Sequence, residues 1–142
     1  MQIKESETRI AFREKLKELM LDNILMDDID RIYVPLAKLI SEGLNVASKT
    51  QIIGINGAQG AGKTTFGNLL KVVLETEFGM RVALLSIDDL YLTRAEREKL
   101  AATVHPLLLT RGVPGTHNIK LGEHTLDSLC NAAAKAITSI PR

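Results

Sequence analysis

The chain has 142 residues, of which 45% are hydrophobic and 25% charged, an ordinary composition for one globular domain. A net charge of +1 does not favour a broad nucleic-acid-binding face, and no apolar run approaches the ~20 residues that cross a membrane. Cys130 is the single cysteine and residues 1–15 lack a signal-peptide core, so we predict a cytoplasmic protein with no nucleic-acid or membrane partner.

Two amphipathic helices are predicted at the start of the chain. The first spans about residues 6–26, and the second starts at the acidic residues 27–30 and ends between residues 43 and 48. Pro35 either lies in the first turn of the second helix or kinks it. We expect residues 1–48 to form a helical extension packed on a domain of residues 49–142; binding a partner is the alternative role.

The most informative stretch is residues 51–65, which read QIIGINGAQGAGKTT. A short apolar run predicts a buried strand, the pattern G-x-x-x-x-G-K-T begins at Gly57, and apolar residues at helical spacing follow it. A glycine-rich turn is the alternative, but the strand–loop–helix setting favours a phosphate-binding loop. The predicted nucleotide-binding residues are Gly57, Ala58, Gln59, Gly60, Ala61, Gly62, Lys63, Thr64 and Thr65.

The chemistry of a polyphosphate explains why the pattern contains these residue types. Glycines allow backbone N–H groups to point inward at the phosphates, and the following helix directs its positive dipole end at them. Lys63 would reach the β- and γ-phosphates as a catalytic charge, and the Thr64 hydroxyl would ligate Mg²⁺. The loop therefore predicts a bound nucleotide and Mg²⁺ as cofactors.

The next elements complete one βαβ unit. Gly79 is a plausible C-cap of the loop helix, and residues 81–87 predict a second buried strand. Thr93 begins a capping box with Glu96, which opens a polar helix. Residues 104–118 predict a long irregular segment with His105 at a turn, and a last helix is expected over about residues 121–138.

Two acidic residues, Asp88 and Asp89, follow the second predicted strand. Ligands of open α/β sheets bind at the carboxyl ends of the strands. A carboxylate at that edge could accept a proton from a substrate hydroxyl or help to hold Mg²⁺. A helix N-cap is the alternative role for this pair, and the phosphate loop on the same predicted edge favours the functional one.

Three ordered motifs, GINGAQGAGKTT, SIDDLYL and TRGVPGTHN, resemble the D-glycerate 3-kinase-like branch of the phosphoribulokinase/uridine kinase family of P-loop kinases. The resemblance covers residues 51–129, more than half of the chain. It implies an α/β P-loop NTPase fold and ATP-dependent phosphoryl transfer to the hydroxyl of a small metabolite. Glycerate is suggested as the acceptor, whereas nucleosides, pantothenate and sugar phosphates belong to sister families.

The resemblance also implies roles for individual residues. Asp88 maps onto the catalytic base of the family, with Asp89 nearby as a metal or substrate partner. Tyr91, Arg111 and His117 map onto segments that line the acceptor site, although for Tyr91 a structural role of the ring is favoured over contact with the acceptor. Asn118 stands where an Asp is usual, which removes a charge from that segment.

Without the family, Arg111 and His117 could be ordinary surface residues on a Gly/Pro-rich loop. A guanidinium suits a carboxylate or phosphate group on the acceptor, because it binds such groups in a bidentate manner. None of the three histidines has metal-ligand spacing with Cys130.

Two predicted strands are fewer than a parallel sheet normally contains. The family's further strands, including the one with its acidic Walker B residue, would begin past Arg142. We therefore expect an incomplete sheet and the N-terminal half of a kinase: a truncated product, a fragment, or a subunit completed by a second chain. A catalytically silent nucleotide-binding or interaction module is the alternative function.

Overall fold

The computed structural model describes residues 6–47 and 50–131, which belong to two compact units. The first unit ends at Leu84 and the second begins at Leu85. Within the described residues the α-helices are α1 (Glu7–Glu18), α2 (Val34–Ala47), α3 (Lys63–Phe78), α4 (Arg94–Thr103) and α5 (Ile119–Asn131). Among these helices, none is both long and apolar enough to cross a lipid bilayer.

Helix α1 begins where the sequence indicates and ends earlier than predicted. The Ser6 side chain accepts a hydrogen bond from the backbone N–H of Arg9 and caps the helix. Met20 adopts a φ of 53°, in the left-handed region, which a continuing α-helix cannot accommodate. A 3₁₀ turn at Asn23–Asp27 follows, capped by Asp22, so the predicted helix to residue 26 is two separate elements.

The second predicted helix is also divided. A π-helical turn at Ile29–Tyr33 leads directly into α2. Pro35 is the second residue of α2, where the absent N–H breaks no bond of the α-helical ladder. The proline therefore lies in a first turn, which was one of the two predicted alternatives.

The core of the first unit lies between α1, the π-helical turn, α2 and α3. Its buried apolar residues are Phe12, Leu16, Met26, Ile29, Tyr33, Ala37, Leu69, Leu70, Val73 and Leu74. The Phe12 and Tyr33 rings meet edge to face with centroids 5.1 Å apart. Burial, and to a lesser extent the charge of Asp28, raises the pKa of Tyr33 above its ordinary value. The predicted domain boundary after residue 48 stays a prediction.

The predicted sheet is not confirmed, because the described residues contain no strand. Residues 51–56 and 81–86 form no β-ladder. Ile53 is 51% exposed and Leu84 48% exposed, so these apolar side chains are not covered as they would be inside a parallel sheet. Both segments nevertheless reach α3: Ile55 and Leu84 each come within 3.6 Å of the position of a Cβ at Gly67.

In the second unit, local capping determines the helix boundaries. The predicted capping box is confirmed, since the Thr93 hydroxyl accepts from the Glu96 N–H and the Glu96 carboxylate accepts from the Thr93 N–H at 2.8 Å. Hydrogen bonds from the Thr93 hydroxyl and then from its backbone lower the pKa of Glu96. His105 lies at a turn as predicted, with Nδ1 accepting from the Leu107 N–H at the start of a 3₁₀ turn, Pro106–Leu109.

The last described helix, α5, begins slightly before the predicted position. Asn118 precedes it, and the Asn118 Oδ1 accepts a hydrogen bond from the Leu121 N–H at 3.0 Å, as an N-cap does. The predicted end of this helix near residue 138 lies outside the described residues.

Candidate functional site

The predicted site residues of the first unit lie in the glycine loop, residues 57–62, which leads directly into α3. Gly60 and Gly62 have φ values of 76° and 78°. Side chains rarely adopt this left-handed conformation, so a substitution at either position would be strained even though open space surrounds both. The two glycines therefore let the chain turn sharply into the helix, as the phosphate-loop pattern predicts.

The start of α3 is open to a ligand. Gly62 has no side chain to cap the helix, and the first N–H groups of any α-helix lack an intrahelical carbonyl partner. The loop residues 57–62 and Thr64 are exposed. Exposed N–H groups at the positive end of a helix dipole form the kind of site that binds phosphate.

Lys63 closes the glycine loop. Its Nζ donates to the backbone carbonyls of Gly57 and Ala58, each at 2.8 Å. An ammonium has three donors, so two bonds to the loop leave one N–H for a further acceptor. The charge is held over the loop that the sequence assigns to the nucleotide, while Ala58 and Ala61 form a turn through an N–H···O bond of 3.2 Å.

The second unit carries a separate group of predicted site residues, which begins at the 3₁₀ turn Ile87–Leu90 with Asp88 and Asp89. Ser86 caps this turn, because its Oγ accepts from the Asp88 N–H at 3.2 Å. Thr93 caps the next helix. Since Ser86 and Thr93 supply the caps, the N-cap alternative for the two aspartates does not hold. Both aspartates are exposed.

The structure brings together three predicted acceptor residues, Tyr91, Arg111 and His117, which we call the Tyr91 cluster. The Tyr91 and His117 rings are stacked, with centroids 4.1 Å apart and planes 28° apart. The Arg111 Cζ lies 5.5 Å from the Tyr91 ring centroid, within the range of a cation–π interaction. The tyrosine ring thus contacts both of the other side chains, as its structural role requires, and its role in binding an acceptor stays a prediction.

Backbone hydrogen bonds hold the Tyr91 cluster in place. The Leu92 N–H donates to the Thr116 carbonyl at 2.9 Å, and the Asn118 N–H donates to the Leu90 carbonyl at 2.7 Å. Tyr91 and His117 therefore form an isolated antiparallel bridge. Thr116 is fully buried, and its hydroxyl donates to the Val113 carbonyl at 2.6 Å. The loop that carries Arg111 is consequently fixed from within.

One nitrogen in this cluster has no partner in the protein. The Nε2 atom of His117 is inaccessible to solvent, and nothing in residues 6–47 or 50–131 forms a hydrogen bond with it. A buried polar atom without a partner is costly, which makes it a candidate for contact with a bound ligand.

Comparison with curated proteins identifies relatives of the chain. It is 31% identical over 118 residues to the uncharacterized kinase mug58 of Schizosaccharomyces pombe, covering 82% of this chain and 42% of that protein. It is 35% identical over 101 residues to the probable ATP-dependent kinase TDA10 of Saccharomyces cerevisiae, covering 68% and 35%. The chloroplastic D-glycerate 3-kinase of Arabidopsis thaliana is 35% identical over 95 residues, covering 64% and 20%.

The chain belongs to the phosphoribulokinase/uridine kinase family of P-loop kinases. The resemblance of its three motifs is therefore confirmed. The chain spans less than half the length of these relatives. No protein-family model matches it, and no solved structure does.

Within this kinase family the structure explains the departure at Asn118. An Asp is usual at that position, and Asn and Asp are about equally good N-caps. The Asn118 side chain caps α5 through its Oδ1, an atom that an Asp side chain also provides. The substitution therefore keeps the local structure of the segment while removing a charge from it.

Sequence reasoning missed two residues that shape this site. Arg97, within the helix read only as polar, is buried and donates to the carbonyls of Leu92 and Leu109. Gly122 is buried where α5 approaches the 3₁₀ turn, and a Cβ there would lie 3.1 Å from Leu90 Cδ1. An Arg in a charged helix gives no sequence signal of burial. A glycine inside a predicted helix signals a close approach, which could have been noticed.

Oxygen ligands of the kind that Mg²⁺ prefers are present in the predicted positions. Thr64 presents an exposed hydroxyl at the second position of α3, and Asp89 presents an exposed carboxylate. Mg²⁺ in kinase sites takes only one or two protein oxygens beside phosphate and water ligands, and each of these side chains is of that chemical type.

Proposed function

We propose that this chain binds ATP through residues 57–65 and takes part in phosphoryl transfer to the hydroxyl of a small metabolite. The observation that carries the proposal is the uncapped start of α3 beneath a glycine loop bridged by Lys63. Backbone N–H groups and one ammonium together suit the triphosphate, because they offer several donors and a positive charge at one point.

The proposed roles follow from the chemistry of each side chain. Lys63 binds the β- and γ-phosphate oxygens; Thr64 and Asp89 are the residues that would hold Mg²⁺, which would neutralise phosphate charge. Asp88 accepts the proton of the acceptor hydroxyl as its oxygen forms a bond to the γ-phosphorus. The bond from that phosphorus to the bridging oxygen breaks, and ADP leaves with the electron pair.

For the acceptor we propose the Tyr91 cluster as binding site. Arg111 supplies a guanidinium that can bind a carboxylate or phosphate in a bidentate manner, and His117 Nε2 supplies a buried hydrogen-bonding atom that lacks a protein partner. These groups suit a small, anionic hydroxylated metabolite. Glycerate is the first candidate, since one relative is named a D-glycerate 3-kinase.

Acceptor-dependent ADP formation tests this proposal. The 142-residue chain is incubated with Mg·ATP and D-glycerate, pantothenate, uridine or a sugar phosphate, and ADP is measured for each. We expect ADP formation with one acceptor and its loss on Lys63→Ala. ATP binding without turnover of any acceptor would contradict the proposed transfer and leave nucleotide binding intact.

A second candidate is a nucleotide-binding module without activity unless another chain completes it. The observation that favours it is the exposure of the apolar residues of the unpaired segments, Ile52 at 65% and Ile53 at 51%. Burying one such side chain contributes ~1.5–3 kcal/mol, so several uncovered contacts amount to much of a typical ~5–15 kcal/mol stability. Under this second candidate, the 142-residue chain is expected to be marginally folded or prone to aggregate.

Complementation separates the two candidates. The C-terminal part of the Arabidopsis D-glycerate 3-kinase, added in trans or by fusion, is expected to sharpen the thermal transition and to permit turnover. A sharp, reversible transition with phosphoryl transfer by the 142-residue chain itself would contradict the need for a second chain. A cytoplasmic location remains part of the proposal and rests on the single cysteine, Cys130.

A further inference from the structure

Arg97 is the buried charged side chain among the described residues, at 9% exposure. Burial of a guanidinium is costly unless its N–H groups are satisfied, and it cannot lose its charge at physiological pH. Both hydrogen-bond partners of the Arg97 guanidinium are backbone carbonyls. The charge is thus held by two points of the chain rather than by a single acidic side chain.

These two carbonyls belong to residues that are close in the chain to Tyr91 and to Arg111. Arg97 Nε donates at 3.2 Å to the carbonyl of Leu92, the residue after Tyr91. Arg97 Nη1 donates to the carbonyl of Leu109, two residues before Arg111. The guanidinium therefore joins the segment that carries the tyrosine to the start of the loop that carries the arginine.

The other end of that loop is held independently. The Leu92 N–H donates to the Thr116 carbonyl, and the Asn118 N–H donates to the Leu90 carbonyl. His117 is thus fixed by the backbone bridge, whereas the Arg111 end of the loop is held by the Arg97 hydrogen bond and by the 3₁₀ turn before it. Removing the Arg97 guanidinium should release Arg111 more than His117.

We propose that Arg97 is a positioning residue for the acceptor site: its guanidinium sets the spacing between Tyr91 and Arg111 by clamping the Leu92 and Leu109 carbonyls. The inference rests on the proposed function of the Tyr91 cluster. An arginine suits this role because its planar fork presents several donors in fixed directions, whereas a lysine ammonium on a flexible stem cannot hold both carbonyls in the same geometry.

The test compares Arg97→Lys and Arg97→Gln with Arg94→Gln in the full chain. Arg94 is a matched control because it lies on the same helix, is exposed and forms an ion pair with Glu98 outside the cluster. NMR signals of the Tyr91 and His117 rings and of the Arg111 Nε–H report the stack and the cation–π contact without any ligand. Calorimetry with D-glycerate, pantothenate and ATP reports binding.

We expect both Arg97 variants to fold, to shift the Arg111 Nε–H and Tyr91 ring signals, and to lose acceptor affinity by about 100-fold with ATP affinity unchanged. Arg94→Gln should match the wild type in every readout. If Arg97→Gln fails to fold, the NMR signals and acceptor affinity of Arg97→Lys test the positioning role. Native Tyr91 and Arg111 signals in a folded variant, unaltered acceptor affinity, or loss of fold in both variants would overturn the proposal.

Acceptor binding by the Tyr91 cluster can be contradicted without contradicting the positioning role of Arg97. If the wild type binds neither D-glycerate nor pantothenate, the acceptor assignment is contradicted on the wild type itself. The NMR signals still decide whether Arg97 sets the position of Arg111 relative to Tyr91, since they require no bound acceptor.

Discussion

The glycine loop of the first unit and the Arg111 loop of the second unit are built in opposite ways. Residues 57–62 are exposed, and Lys63 holds them through two carbonyls. The loop between Arg111 and His117 contains the fully buried Thr116, which bonds to Leu92, and the residues flanking the loop bond to Leu90 and Arg97.

This difference reflects what each loop has to recognise. A phosphate group is bound by backbone N–H groups, so a loop that binds it must leave those groups unpaired. An acceptor site must hold particular side chains at fixed positions, so its loop is pinned by packing and hydrogen bonds. Substitutions in the first loop should therefore change ligand binding, and substitutions around the second should also change local stability.

The largest expected effect is on catalysis. Asp88→Asn removes the proposed base and is expected to lower kcat by about 10²–10⁴-fold, with ATP affinity nearly unchanged, because the exposed side chain supports no packing. Steady-state kinetics with the acceptor selected by the panel measure the effect. If Asp89→Asn abolished activity while Asp88→Asn did not, the roles of the two aspartates would be reversed.

A substitution at Gly122 tests whether packing holds the second loop. The Cβ of any other residue would lie 3.1 Å from Leu90 Cδ1, so Gly122→Val should overpack this contact and cost about 1–3 kcal/mol. Faster hydrogen exchange at the Leu92 and Asn118 amides, which pair the two segments, would report the loss. Ala102→Val on the exposed face of α4 is the control, and equal exchange in the two variants would contradict the packing argument.

The smallest effects are expected at Asn118. Asn118→Ala removes the cap of α5 and should cost about 1 kcal/mol, whereas Asn118→Asp keeps a capping oxygen and should stay within about 0.5 kcal/mol of the wild type. Denaturant unfolding of the three proteins provides the comparison. A large loss of unfolding free energy in Asn118→Asp would mean that the absence of a charge, and not only the capping oxygen, determines stability at this position.

Features set by neighbouring residues in the chain were predictable from the sequence. The turn into α3, the C-cap at Gly79 and the capping box at Thr93 depend on local conformation and local hydrogen bonds. The stacking of Tyr91 on His117 was not predicted, because residues distant in the chain pair only through the tertiary structure. Burial of Arg97 depends on two carbonyls from different segments, which no periodic pattern records.

The remaining differences between the sequence-based predictions and the structure have local physical causes. The first helix was extended past Met20 because apolar spacing continued, although the backbone turns left-handed at that residue. The strands predicted around residues 51–56 and over residues 81–87 rest on apolar runs and are not confirmed, because a run cannot reveal whether a neighbouring strand is present to pair with it.

Nucleotide binding at the glycine loop is the central claim, and calorimetry of Mg·ATP binding to the wild type, Lys63→Ala and the exposed control Lys17→Ala tests it most directly. We predict measurable binding by the wild type and by Lys17→Ala, with at least about 30-fold weaker binding by Lys63→Ala, because one charged donor to the phosphates is lost. Equal affinities of Lys63→Ala and the wild type would contradict the claim.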